Sequence, residues 1–167
     1  GGALREVVGV VHDVTDQRRT EDALAARLRY ETAMASASSA LLAGGPGAFE
    51  RVCEHLLVAT TVSRVYIFRT FDDPELGPCT GLITEACAPG VEANLGRPEL
   101  RRFPALRGGF ERTHRLLSDG EAVQGVVEFF PPTERAVLER YGARSVLLLP
   151  ILGDGRYWGL VGFDDCE

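Results

Sequence analysis

SVLLLPIL (Ser145–Leu152), GDG (Gly153–Gly155) and YWGLVGF (Tyr157–Phe163) decide the fold of this chain. Two apolar runs of strand length, rich in Leu, Val and aromatic residues, flank an Asp-Gly dipeptide. Asp-Gly accepts the positive φ angles that a tight hairpin turn demands. The segment therefore predicts two adjacent antiparallel strands. Trp158 alternates within the second run, which suits a core position, and it is also a candidate wall of a pocket.

Working outward, Pro132-Thr133-Glu134 opens a helix that runs to about Tyr141, and Val123–Phe129 is strand-like. Phe110–Leu117 reads as a helix. Pro89–Leu106 carries prolines and arginines without periodicity and predicts a long loop with short helical pieces, the kind of segment that carries function in small domains. Leu82–Ala88 and Ser63–Phe71 (SRVYIFRTF) are strands, the latter covered on both faces and ended by the turn chemistry of Asp72-Asp73-Pro74. Before them, Phe49, Val52, Cys53, Leu56 and Leu57 share one face of a helix. Gly44-Gly45-Pro46-Gly47 separates that helix from a longer one over 16–43, roughly 42 Å long. Val7–Val11 is a further short strand. Helices followed by antiparallel strands with interspersed helices give an α+β fold: an antiparallel β-sheet flanked by helices, with a long N-terminal connector helix.

In the connector, Leu24, Leu28, Ala35 and Leu42 form one stripe and Ala23, Tyr30, Met34, Ala37 and Leu41 a neighbouring one. This face is too broad for a coiled-coil seam alone. The first half is expected to pair with a partner helix in a homodimer and the second to lie on the domain core.

Composition narrows the function. Of 167 residues, 45% are hydrophobic and 25% charged, with a net charge of −6. All 18 basic residues are arginine, dispersed along the chain, so a nucleic-acid partner is not expected. The absence of lysine removes P-loop, Schiff-base and lysine-base chemistry. Cys53, Cys79, Cys87 and Cys166 show no C-x-x-C spacing, and His12, His55 and His114 complete no ligand set, so no metal is expected. No segment has the length and apolarity of a membrane span or a signal peptide, which predicts a cytoplasmic location without direct membrane contact.

Two resemblances follow from particular residues. Gly9-Val10-Val11-His12-Asp13-Val14-Thr15-Asp16-Gln17-Arg18-Arg19 resembles the end of a PAS domain, where a last strand runs into a D-[IV]-T-[DE]-[RQ]-[KR] motif and a signalling helix. From about Ala40 onward the chain resembles GAF domains of bacterial sensor histidine kinases. The segments that carry this are Ser63–Arg69, Glu85–Val91, Gly142–Ser145 with Leu149-Pro150-Ile151, and above all Trp158–Cys166 (WGLVGFDDC). The implied division is 1–15 for the PAS tail, 16–43 for the connector and 44–167 for the GAF domain, ending before the terminal helix usual in that family. One departure is Thr113, which stands where the family pattern has tryptophan.

The resemblance implies a non-catalytic sensory module that dimerises and relays a ligand- or partner-induced change to an output domain of the same chain. The alternatives are a dimerisation spacer without ligand and a redox sensor using Cys87 or Cys166. No cofactor is expected. Cyclic nucleotides are set aside because Asn94 is the sole asparagine and lysine is missing; bilin, because Cys87 sits in Cys-Ala-Pro rather than near an Asp-Ile-Pro-like loop; and haem, because neither His55 nor His114 has the look of an axial ligand. Asp164 and Asp165 read as turn and cap residues. A small ligand is expected between the sheet and the long loop, at Arg69, Glu85, Cys87 and His114, with Trp158 as a further wall.

Overall fold

A computed structural model describes residues 15–166. The expected PAS tail over 1–15 lies outside the described residues except for Thr15. Among the described residues the chain forms α1 (Thr15–Ala43), α2 (Ala48–Thr60), β1 (Arg64–Asp73), β2 (Gly77–Cys87), β3 (Phe103–Pro104), α3 (Glu111–Ser118), β4 (Val123–Val126), α4 (Pro132–Arg140), β5 (Ser145–Gly153) and β6 (Arg156–Asp165). Short 3₁₀ turns follow at Pro98–Leu100 within the long loop and at Val127–Phe129 after β4. The strands make one antiparallel sheet in the order β3-β2-β1-β6-β5-β4. No described helix is long and apolar enough to cross a membrane.

The β5–β6 hairpin turns at Asp154 and Gly155, with φ of 50° and 71°. Both central residues of the turn are thus left-handed, as an Asp-Gly hairpin requires. The sheet is buried on both faces because alternate residues of its central strands are apolar in both registers. Val65 and Ile67 of β1, with Val161 and Phe163 of β6, pack against α1 and α2. Tyr66, Leu148 and Leu160 face the other way, toward α3, α4 and the long loop.

Three expectations change. β2 begins at Gly77 rather than Leu82, because pairing from Asp73↔Gly77 onward carries Gly77-Pro78 into the ladder despite their turn-like composition. The strand expected to reach Phe129 ends at Val126, and Phe129 projects into solvent with 82% exposure. In the second half of α1, expected to lie on the core, the core-facing positions are Ala33, Ala37 and Ala40, whose short side chains let α2 approach closely, while Met34, Leu41 and Leu42 are exposed.

One close approach organises the second face. Tyr66 pairs with Gly162, and a Cβ at Gly162 would lie 2.2 Å from the Tyr66 ring. The ring fills the space above the glycine, which directs its hydroxyl toward the end of β6. Gly162→Ala is therefore expected to displace the ring and cost about 1–3 kcal/mol. Urea unfolding should show a lower midpoint with an unchanged slope; an unchanged midpoint would mean that the ring has room to spare.

Candidate functional site

The ends of three strands bring ionisable groups together under the sheet. Arg64 opens β1, Glu85 lies near the end of β2, and Asp164 near the end of β6. Register places Arg64 opposite Asp164, and Tyr66 opposite Glu85 and Gly162. Arg64 Nε lies 3.3 Å from Glu85 Oε1, and an Arg64 terminal nitrogen 3.5 Å from Asp164 Oδ2; all three side chains are at most 5% exposed. Charged groups this deeply buried persist only when paired and hydrogen-bonded.

The other atoms of the cluster are bonded in turn. Tyr66 donates its hydroxyl to Asp164 Oδ1 at 2.8 Å. The backbone N–H groups of Asn94 and Leu95 donate to Glu85 Oε2 at 2.7 and 2.8 Å, which pins the long loop to β2. Arg64 also donates to the carbonyls of Tyr141 and Glu92 at 3.1 and 3.3 Å. Burial pushes the Asp164 carboxyl up to about 6, against the opposing pull of Tyr66 and Arg64. Burial, then the Asp164 charge, pushes the Tyr66 phenol well above its ordinary value.

Beside this cluster lies a cavity of about 110 Å³. Phe68, Leu82, Leu100, Phe103, Phe110, Leu117, Leu148 and Leu160 contribute apolar and aromatic wall, and Arg64, Tyr66, Glu85, Asn94 and Asp164 close one end. His114 and Tyr157 meet edge to face elsewhere in the wall, their ring centroids 5.7 Å apart. His114 Nε2 is shielded from solvent without a hydrogen-bond partner, and burial lowers its pKa, so the imidazole is neutral.

α3 is held in place from α4. Glu134 is 1% exposed and accepts the Thr113 backbone N–H at 3.2 Å and its hydroxyl at 3.0 Å, while Arg112 donates to its other oxygen at 2.6 Å. The carboxylate thus satisfies a free amide in the first turn of α3, next to His114. Thr113, where the family pattern has tryptophan, both makes this bond and lines the cavity.

Of the residues singled out from the sequence, Glu85 and His114 line the cavity and the other three do not. Arg69 follows the alternation of Val65 and Ile67, away from Tyr66, and is exposed. Cys87 lies half-buried beyond Glu85 at the end of β2. Trp158 packs on the opposite face against Phe49, ring centroids 5.6 Å apart. The register of β5 and β6 slips there, from Ile151↔Gly159 to Leu152↔Tyr157, so Tyr157 rather than Trp158 reaches the cavity. Asp164, read from the sequence as a turn or cap residue, is a buried strand residue. Arg64, Tyr66 and Asp164 escaped the sequence reading because their meeting depends on strand register; a charged residue at each end of an apolar strand was the available signal.

Burial pushes the thiols of Cys87 and Cys166 above their ordinary value and that of Cys53 up to about 12. This lowers the thiolate fraction on which redox sensing depends.

No family model matches the chain. Among solved structures, the phycoerythrobilin-bound GAF domain of a cyanobacterial phytochrome superposes with a TM-score of 0.69 over 84% of this chain and 83% of its own, at 14% identity. The chain thus has the fold of a GAF domain. The chromophore-binding domain of the Stigmatella aurantiaca bacteriophytochrome gives 0.64 over 83% of this chain and 51% of its own, at 16% identity. In sequence, the chain is 31% identical over 170 residues to the methanogenesis regulatory histidine kinase FilI of Methanothrix harundinacea, covering 99% of this chain and 19% of that protein. It therefore spans about a fifth of the curated relative it matches.

These findings correct the exclusion of bilin. Solved domains of this fold include ones with bound phycoerythrobilin and biliverdin. The exclusion rested on the surroundings of one cysteine, which govern covalent tethering and not whether a cavity of this fold accepts a tetrapyrrole.

Two outcomes are expected of the site. Glu134→Ala leaves the Thr113 donors unpaired and should destabilise the domain by about 1–3 kcal/mol, read by urea unfolding; no change would remove Glu134 as the anchor of α3. Asp164 titrates near 6 when folded against 3.8 for an ordinary aspartate, with Tyr66, Arg64 and Glu85 as its charged or titratable neighbours. A raised carboxyl contributes stability that is full below about pH 4 and lost as pH rises through about 6. The melting temperature of the wild type should fall across that window relative to Asp164→Asn; parallel pH profiles would show that Asp164 does not titrate there.

Proposed function

We propose that this chain is the ligand-sensing GAF module of a multidomain signalling protein of the histidine kinase type, with the cavity under the sheet as its ligand site. The carrying observation is the largely apolar cavity lined by an unpartnered His114 Nε2 and, at one end, by the Arg64–Glu85–Asp164 cluster. Apolar walls with a few convergent polar groups are what small-molecule sites are made of. A spacer has no use for such a void, since protein interiors otherwise close-pack.

The fold admits a bilin, but the cavity of about 110 Å³ is smaller than a tetrapyrrole, so binding one would require its walls to move apart. Phe68, Phe103, Phe110 and Tyr157 offer flat apolar contact, and His114 and Asp164 offer partners for pyrrole nitrogens. When bound, such a group supplies absorption of visible light. None of the four cysteines is in the cavity lining, so the wall offers no thioether.

The module acts in regulation rather than catalysis, in the cytoplasm. Occupancy of the cavity favours one packing of the connector helix over another through differential affinity, and the change passes to an output domain of the same chain. The helix joins two copies through Leu24, Leu28 and Leu42, which are 67%, 63% and 89% exposed. This stripe lies away from the alanines that meet α2, and apolar side chains at this spacing suit a second helix.

Incubation with biliverdin and with a panel of metabolites, read by absorption and by thermal shift, is expected to give at least one bound species that Leu160→Trp abolishes by filling the cavity. No binding to the folded wild type would defeat the sensor reading and favour the spacer. Native mass spectrometry should show a dimer that Leu24→Glu/Leu28→Glu converts to monomer; a monomeric wild type would sink the pairing of connector helices.

A further inference from the structure

The charges around the cavity do not balance. Two carboxylates, Glu85 and Asp164, share the single guanidinium of Arg64, and the side chains of all three are at most 5% exposed. Glu85 takes two backbone N–H groups on its Oε2, while its Oε1 lies 3.3 Å from Arg64 Nε, both of these atoms buried without a hydrogen bond. Arg64 spends its remaining donors on the carbonyls of Tyr141 and Glu92 and on Cys166 Sγ at 3.6 Å. Asp164 Oδ1 takes the Tyr66 hydroxyl, but its Oδ2 is 3.5 Å from the nearest guanidinium nitrogen, well outside the ~2.7–2.9 Å of a charge-assisted hydrogen bond. The result is an under-compensated carboxylate in the wall of an otherwise apolar cavity whose nearby imidazole carries no charge.

Ligand charge follows from this arrangement. An anion entering the cavity would meet two carboxylates, and both terminal nitrogens of the one cation in its wall are already engaged by backbone carbonyls. A cation would meet Asp164 directly, with the rings of Phe68 and Tyr66 in the same wall. We propose, resting on the reading of the cavity as a ligand site, that the natural ligand is a small aromatic or alicyclic molecule bearing one positive charge, bound with its cation on Asp164 and its ring against Phe68, Leu82 and Leu160.

Three probes of one shape and different charge test this: 2-phenylethylamine, 2-phenylethanol and phenylacetate, titrated calorimetrically into the full chain near neutral pH. The amine should bind at least about tenfold more tightly than the alcohol, and the acid more weakly than either. Asp164→Asn, checked for folding by circular dichroism, should bring the amine down to the affinity of the alcohol and leave the alcohol unchanged. Leu160→Trp should abolish all three.

Equal or tighter binding of the alcohol or acid to the wild type would overturn the proposal, as would an amine preference that survives in Asp164→Asn. Amine binding that survives in Leu160→Trp would place the amine outside the cavity and overturn it as well. If none of the three binds while biliverdin or a metabolite does, the cationic class is wrong and the sensor reading stands; if nothing binds at all, both fall.

Discussion

The buried guanidinium of Arg64 is the constraint on which the rest of the domain turns. It is 3% exposed and joins parts of the chain that no other single residue brings together: β1, on which it sits, the carboxylates of β2 and β6, the long loop at Glu92, and the chain just past α4 at Tyr141. A buried ion pair is a weak source of net stability, because desolvation offsets most of its Coulombic gain. Its contribution is specificity of arrangement. A loop that Glu85 and Arg64 both hold by its backbone cannot slide along the sheet without leaving charges unpaired. The loop is thereby fixed at the distance that leaves a cavity beneath it.

The wall that Thr113 and His114 contribute is set by a third buried carboxylate. Glu134 reaches from α4 to the first turn of α3 and fixes the helix that carries His114. The long loop and α3 are thus both held by acidic groups bonded to backbone amides, while much of the wall they border is leucine and phenylalanine. This division of labour explains why Thr113 suits its position. Tryptophan there could not supply the hydroxyl that Glu134 accepts, and its larger ring would compete for the volume that Thr113 leaves open.

The elements with one dominant period were legible in the sequence. The β5–β6 hairpin, β1, α3 and α4 follow directly from alternation, capping prolines and the Asp-Gly turn. What escaped depended on geometry with no local signature. Gly77-Pro78 looks like a turn and becomes strand only because β1 offers it a ladder. Trp158 changes face through a one-residue slip in register that nothing in its own neighbourhood announces. In the second half of α1 the broad apolar stripe did not single out a core face, and close packing of two helices selected the alanines over Met34, Leu41 and Leu42. Glu85 and His114 were found because each is a polar residue at the rim of the long loop; Arg64 and Asp164 were missed because their partnership spans 100 positions of chain.

The position of Arg64 has a kinetic consequence. Arg64, together with Asn94 and Tyr141, lines both the inner cavity and an outer groove bordered by Pro89–Glu92, Arg97 and Arg140–Gly142. A partition made of side chains does not require strands to separate in order to open; it requires those side chains to change rotamer and Arg64 to leave its acceptors. Passage through this wall is therefore small in amplitude but hindered by two ion pairs, and the lifetime of a bound molecule leaving that way reports the strength of those pairs as well as the quality of its own fit.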